Sequence, residues 1–73
     1  MHLGKYRHYK GKDYEVIGIA RDCETHEMLV VYKALYTSEQ FGDYALWVRK
    51  QESFLEHVEV DGQTLPRFAY LGE

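Results

Sequence analysis

The sequence holds one cysteine, one proline and no apolar run near the roughly 18 residues that cross a bilayer as a helix. Each scarcity excludes something. Cys23 has no partner within the chain, so this is not a disulfide-stapled secreted scaffold. No glycine-rich phosphate loop is present, which removes the commonest sequence signature of nucleoside-triphosphate chemistry. The N-terminus, Met1-His2-Leu3-Gly4-Lys5, lacks the apolar stretch of a signal peptide, and a cytoplasmic location is the expectation left.

Seventy-three residues allow one domain, 1–73. A chain this short buries only roughly 60% of the surface its unfolded form exposes. An apolar share of 45% and an aromatic share of 15% suffice for one compact core. Charged residues at 29% with a net charge of −3 fit a globular chain rather than a disordered one. The seven tyrosines suit half-buried sheet positions and contact surfaces, because each joins a large ring to a hydroxyl that needs a partner. The net charge argues against a general nucleic-acid binder, but its distribution is uneven. Residues 1–14 carry four cations (Lys5, Arg7, Lys10, Lys12) and one acid, whereas residues 15–73 carry eleven acids and five cations.

Six runs of strand-like composition alternate with turn signals, the rhythm of a small barrel or sandwich. They are Lys5–Tyr9, Tyr14–Ala20, Met28–Tyr36, Ala45–Arg49, His57–Val60 and Gln63–Leu71. Helix is the rival reading for Met28–Tyr36, but β-branched and aromatic residues dominate it and no cap residue opens it. Glu52–Glu56 fits a single helical or 3₁₀ turn with Phe54 and Leu55 facing inward. Asp61-Gly62 is the strongest hairpin signal, since a type I′ turn needs positive φ at both central residues. Pro66 places the last run at an edge or delays its start to about Arg67, because proline donates nothing to a ladder.

With no amphipathic helix to cover a sheet, the strands must bury their faces on one another. The expected fold is mostly β: a small SH3-like barrel of five to six antiparallel strands with at most one short helical or 3₁₀ turn. The expected core is Val16, Ile17, Ile19, Leu29, Val31, Leu35, Leu46, Val48, Phe54, Val58 and Val60. Adjacent apolar pairs (Val16/Ile17, Val30/Val31) make both faces of the second and third strands look apolar, so a second subunit or the terminal strands cover one of them.

The segments Gly4-Lys5-Tyr6-Arg7-His8-Tyr9-Lys10-Gly11, Val30-Val31-Tyr32, Leu46-Trp47-Val48-Arg49, Val58-Glu59-Val60-Asp61-Gly62 and Arg67-Phe68 follow one another in order along the chain. Together they resemble the bacterial family known as domain of unknown function 1653. Asp22 stands where that family often has histidine, and Lys50 where it often has proline. The resemblance implies an SH3-like barrel in a bacterial cytoplasm and no established activity.

Candidate chemistry centres on the basic–aromatic stretch Tyr6, Arg7, His8 and Tyr9. Rings can stack on a base or another planar group while cations hold a phosphate. The competing reading is a terminal strand whose tyrosines pack and whose cations stay solvated. Trp47 and Arg49 share a strand face opposite Leu46 and Val48. If Leu46 and Val48 point inward, Trp47 and Arg49 form an outward contact anchor; otherwise Trp47 packs under the 37–44 loop with Arg49 on it. Tyr36 completes a conceivable aromatic cage with Tyr6, Tyr9 and Trp47. The candidate ligand-binding set is therefore Tyr6, Arg7, His8, Tyr9, Tyr36, Trp47 and Arg49.

Metal binding has little support, because Cys23 and His26 supply half a zinc spacing and no second pair exists. No cofactor is expected. Catalysis by Cys23 lacks a framed base and an oxyanion hole, and so small a domain has little interior for a pocket of roughly 300 Å³ or more. The sequence thus points to a non-enzymatic binding module for a nucleotide or nucleic-acid-like ligand. The alternative is a protein partner or self-association, and a small hydrolase comes third.

Overall fold

The computed structural model describes residues 1–73. Nine strands and one helical turn follow one another along the chain: β1 (Gly4–His8), β2 (Asp13–Arg21), β3 (Met28–Ala34), β4 (Thr37–Ser38), β5 (Gly42–Asp43), β6 (Leu46–Lys50), α1 (Gln51–Phe54), β7 (His57–Val60), β8 (Gln63–Pro66) and β9 (Phe68–Gly72). Five of them form one antiparallel sheet in the order β6-β3-β2-β1-β9. The pairs β4-β5 and β7-β8 are separate two-stranded ladders. The protein is mostly β with one short helix, as its sequence pattern requires. No ladder joins β6 to β9, so hydrogen bonding does not close the expected barrel. No helix is long and apolar enough to cross a membrane.

Met28–Ala34 is a strand, the β-branched and aromatic composition having decided against helix. Asp61 (φ 50°) and Gly62 (φ 78°) supply the two positive dihedrals of the tight β7-β8 turn. Pro66 ends β8 opposite His57, and β9 begins at Phe68, so the expected last run is two strands broken at Arg67. The 37–44 loop contains the small β4-β5 ladder, held by a Thr37 hydroxyl donating to Asp43 at 2.7 Å.

One face of the five-stranded sheet carries the core: Tyr6, Val16, Val30, Tyr32 and Phe68, with Phe54 of α1 inserted among them. Tyr14, Ile19 and Trp47 pack against its border. The core is largely aromatic, and most of its ring contacts are edge-to-face, the arrangement that ring quadrupoles favour. Burying Phe54 alone is worth roughly 2–3 kcal/mol.

The expected core needs correction. Val16 and Phe54 are buried, but Ile17, Leu46 and Val48 lie on the opposite, exposed face, and Leu55 is exposed beside buried Phe54. Leu29, Val31, Leu35, Val58 and Val60 are only half-buried. In β3 the inward set is Val30, Tyr32 and Ala34, which turns Lys33 outward to its Glu15 partner at 3.4 Å. In β6, Trp47 and Arg49 pair with Tyr32 and Val30 and share their inner face. A bulge explains β2. Val16 pairs with Tyr32 and Gly18 with Val31, so Ile17 is an extra residue. It switches strand parity, letting Tyr14 and Val16 face inward before it and Ile19 after it.

Candidate functional site

Arg49 is the centre of the site. From β6 it reaches over the inner face, where its Nε donates to the Tyr32 hydroxyl at 3.4 Å and its Nη1 to the Ser53 hydroxyl at 3.1 Å. Its guanidinium sits 5.7 Å from the Phe68 ring centroid. It is half-buried and pairs with no carboxylate; the ion pairs are Arg7–Asp13, Lys33–Glu15, Lys50–Glu27 and Arg67–Glu56.

Around it lies a shallow cavity of about 190 Å³ lined by Tyr14, Tyr32, Trp47 and Arg49. The Tyr14 and Tyr36 hydroxyls share a hydrogen bond of 2.7 Å, and Lys12 Nζ lies 4.9 Å above the Tyr36 ring. Burial and this bond raise the Tyr14 phenol above its ordinary pKa, keeping it neutral. Trp47 stands edge-on to Phe41 of the 37–44 loop, with centroids 5.0 Å apart. On the far side, His8 contacts Phe68 (4.9 Å) and Tyr9 (4.5 Å). Its imidazole pKa is lowered by burial first, then by the positive charges of Arg49, Lys10 and Arg67. A histidine feeling three cations marks a locally electropositive surface.

Of the sequence-derived candidates, Trp47 and Arg49 line the cavity, Tyr36 meets it through the Tyr14 hydroxyl, and His8 lies beyond Phe68 with Tyr9 against it. Tyr6 and Arg7 do not share this surface as exposed groups. Tyr6 is 5% exposed and packs on Phe54, its hydroxyl donating to the His2 carbonyl at 2.7 Å. Arg7 points to the other face, where its Nε donates to Asp13 at 2.8 Å. Strand alternation separates the two, and the large Tyr6 ring is the one the core takes up. Trp47 and Arg49 point inward rather than outward, because the aromatic core, not Leu46 and Val48, claims the inner face of β6.

Tyr14, Tyr32, Phe68 and Lys12 were not among the candidates. The signal for Tyr32 was legible, since the alternative parity of β3 would bury Lys33. Asp22, Cys23 and His26 form a turn in which the Asp22 carboxylate accepts the N–H groups of Glu24 and Thr25 at 2.8 and 3.0 Å. Those two bonds hold its pKa below the usual carboxylate value. Cys23 is exposed.

Two larger depressions lie on the surface. One of 370 Å³ beside α1 has its cation, Lys50, occupied by Glu27; one of 410 Å³ near the termini offers Glu15 and Glu73 and no cation. Both are open depressions of the surface rather than interior cavities, and only the smaller cavity brings an unpaired charge and rings together.

Fold and site together define a small all-β domain with an aromatic core that opens, at one edge strand, onto a basic–aromatic pocket. The chain belongs to the family described as protein of unknown function (DUF1653), whose model matches residues 4–70. A crystal structure of a DUF1653 protein from Bordetella bronchiseptica is 39% identical, with a TM-score of 0.88, covering 99% of this chain and 88% of that one. Comparison with curated proteins gives no match.

Proposed function

We propose that the chain is a non-enzymatic binding module whose pocket around Arg49 takes a nucleotide or nucleic-acid-like ligand. The observation that carries this reading is a half-buried guanidinium with no carboxylate partner, set among ring faces. Desolvating a charge without pairing it is costly, and an anionic ligand supplies the missing partner. The half-buried rings of Tyr14 and Trp47 supply stacking surface. The strand order, with β9 beside β1 and a helical turn ahead of the last strands, supports an SH3-like reading of the fold.

Trp47 is the only tryptophan, so its emission reports on the pocket directly. Nucleotides and short oligonucleotides are screened by thermal shift, and each stabilising compound is then titrated against Trp47 fluorescence. Binding that shifts emission and weakens as salt rises supports the reading. Stabilisation with unchanged Trp47 emission overturns it.

A specific observation favours self-association as the second reading. The Ala34 N–H donates to the Ala45 carbonyl, so Tyr32/Trp47 and Val30/Arg49 are the hydrogen-bonded pairs of the β3-β6 ladder. The backbone groups of Leu46 and Val48 therefore face the free edge, beside side chains 65% and 60% exposed. A second copy pairing antiparallel about Val48 would match those groups and set Trp47 against the partner copy's Arg49. Sedimentation of the wild type against Val48→Lys decides it: a dimer lost in the variant supports this reading, and a monomer at all concentrations removes it.

A further inference from the structure

We infer that the ligand of the Arg49 pocket is one flat ring carrying one anionic group, a carboxylate or a phosphate, and not a nucleic-acid strand; this inference rests on the binding reading above. A guanidinium offers five N–H donors. Arg49 spends its Nε–H and one Nη1–H on Tyr32 and Ser53, so the remaining donors are free to grip an anion in a planar fork. The hydroxyl contacts matter twice, because they hold the side chain in one place and carry no charge that would neutralise it.

The size of the cavity sets the ligand's bulk. A space of about 190 Å³, open to solvent, takes one planar ring system with the rest of a small ligand lying outside it, and excludes a run of stacked bases. A strand would also need a track of cations for successive phosphates. The surface does not provide one. Arg7, Lys33, Lys50 and Arg67 are each tied to a carboxylate, and the chain is net negative. The free cations near the pocket are Arg49 with Lys12 over Tyr36 and Lys10 beside His8, a single positive spot rather than a stripe.

The test uses the full chain labelled with nitrogen-15 and four probes: adenosine monophosphate, adenosine, benzoate and a ten-nucleotide thymidine oligomer. Backbone shifts and the Trp47 indole resonance locate each probe. The expected result is that adenosine monophosphate or benzoate moves the Trp47 indole and the amides around Tyr14, Tyr32 and Arg49, whereas adenosine binds at least tenfold more weakly than its monophosphate. A response to the monophosphate alone identifies phosphate as the anion, and a response to benzoate identifies carboxylate. Arg49→Gln should weaken the best probe tenfold or more, and Arg49→Lys should recover only part, since it keeps the charge and loses the fork. Equal binding of adenosine and its monophosphate at the pocket overturns the anion, leaving the pocket itself standing. An oligomer binding there more than tenfold tighter than the monophosphate overturns the single ring in favour of a strand. Shifts that avoid the pocket, or no response to any probe, overturn both this inference and the binding reading.

Discussion

Phe54 and Phe68 lie face to face, with ring centroids 4.0 Å apart and planes 3° from parallel. One ring comes from the helical turn and the other from the last strand, so this contact ties α1 to the far edge of the sheet. Phe54 also meets Tyr6 and Tyr32 edge-on, at 5.3 and 5.4 Å.

Phe54→Ala should destabilise the fold by about 3–5 kcal/mol, the cost of removing a fully buried ring from a core that cannot collapse around the gap. Leu55→Ala, one residue on but 50% exposed, should change stability by about 1 kcal/mol or less. Urea unfolding of both variants checks the pair. A larger loss at Leu55 would reverse the inward and outward sides assigned to α1.

The orientation of β6 is open to a similar contrast. Val48→Thr should stay within about 0.5 kcal/mol of wild type, as exposed substitutions do. Val30→Ala should cost about 2 kcal/mol, since Val30 is 0% exposed at the centre of the sheet. Comparable losses at the two positions would argue that β6 is turned the other way.

Gly4 and Gly62 both have positive φ, at 120° and 78°, but their surroundings differ. A Cβ at Gly4 would lie 2.7 Å from the Gly72 carbonyl oxygen and 3.0 Å from the Glu73 Cα, both backbone atoms of the chain beside it. At Gly62 it would meet nothing within 4 Å. Gly62→Ala should therefore cost only the dihedral strain of about 1–2 kcal/mol. Gly4→Ala should cost more, because β9 must also move away from β1. Thermal melts of the two single variants rank them.

His8 should titrate below the ordinary histidine value of about 6.5, held down by burial and then by Arg49, Lys10 and Arg67. The unfolded chain then takes up this proton at a higher pH than the folded one, so stability rises with pH across the interval between the two pKa values. The contribution is complete above about 6.5 and is lost as pH falls through the folded value. Proton resonances of the His8 ring followed against pH give the pKa directly. Arg49→Gln should move it upward by removing the cation that acts on it most strongly, and an unchanged midpoint would place Arg49 too far away to matter.

Local pattern revealed the β content, the type of each long element and the Asp61-Gly62 turn, because those depend on neighbours in the chain. It did not reveal which face of β6 is buried. Leu46/Val48 and Trp47/Arg49 are both plausible inner sets by hydropathy, and the choice is made by Tyr32 and Val30 across the ladder. In β3 the charge of Lys33 could have settled the matter, and it points the right way. Of the residues that line the cavity, Trp47 and Arg49 were legible in the sequence. Tyr14 and Phe68 join the site only through the β1-β2 and β1-β9 pairings, which no local window contains.

Ile17 behaves as a phase shifter. The chain must spend one residue there so that two apolar half-strands, set out of step with each other in the sequence, can both reach the same interior. Removing that residue would leave Val16, Gly18 and Ile19 in plain alternation opposite Tyr32, Val31 and Val30, with Val16 and Ile19 still turned to the interior. A single-codon deletion at this point would therefore be absorbed as a straightened strand, whereas the same deletion at Val31, where β3 alternates regularly, would put Val30 and Tyr32 on opposite faces.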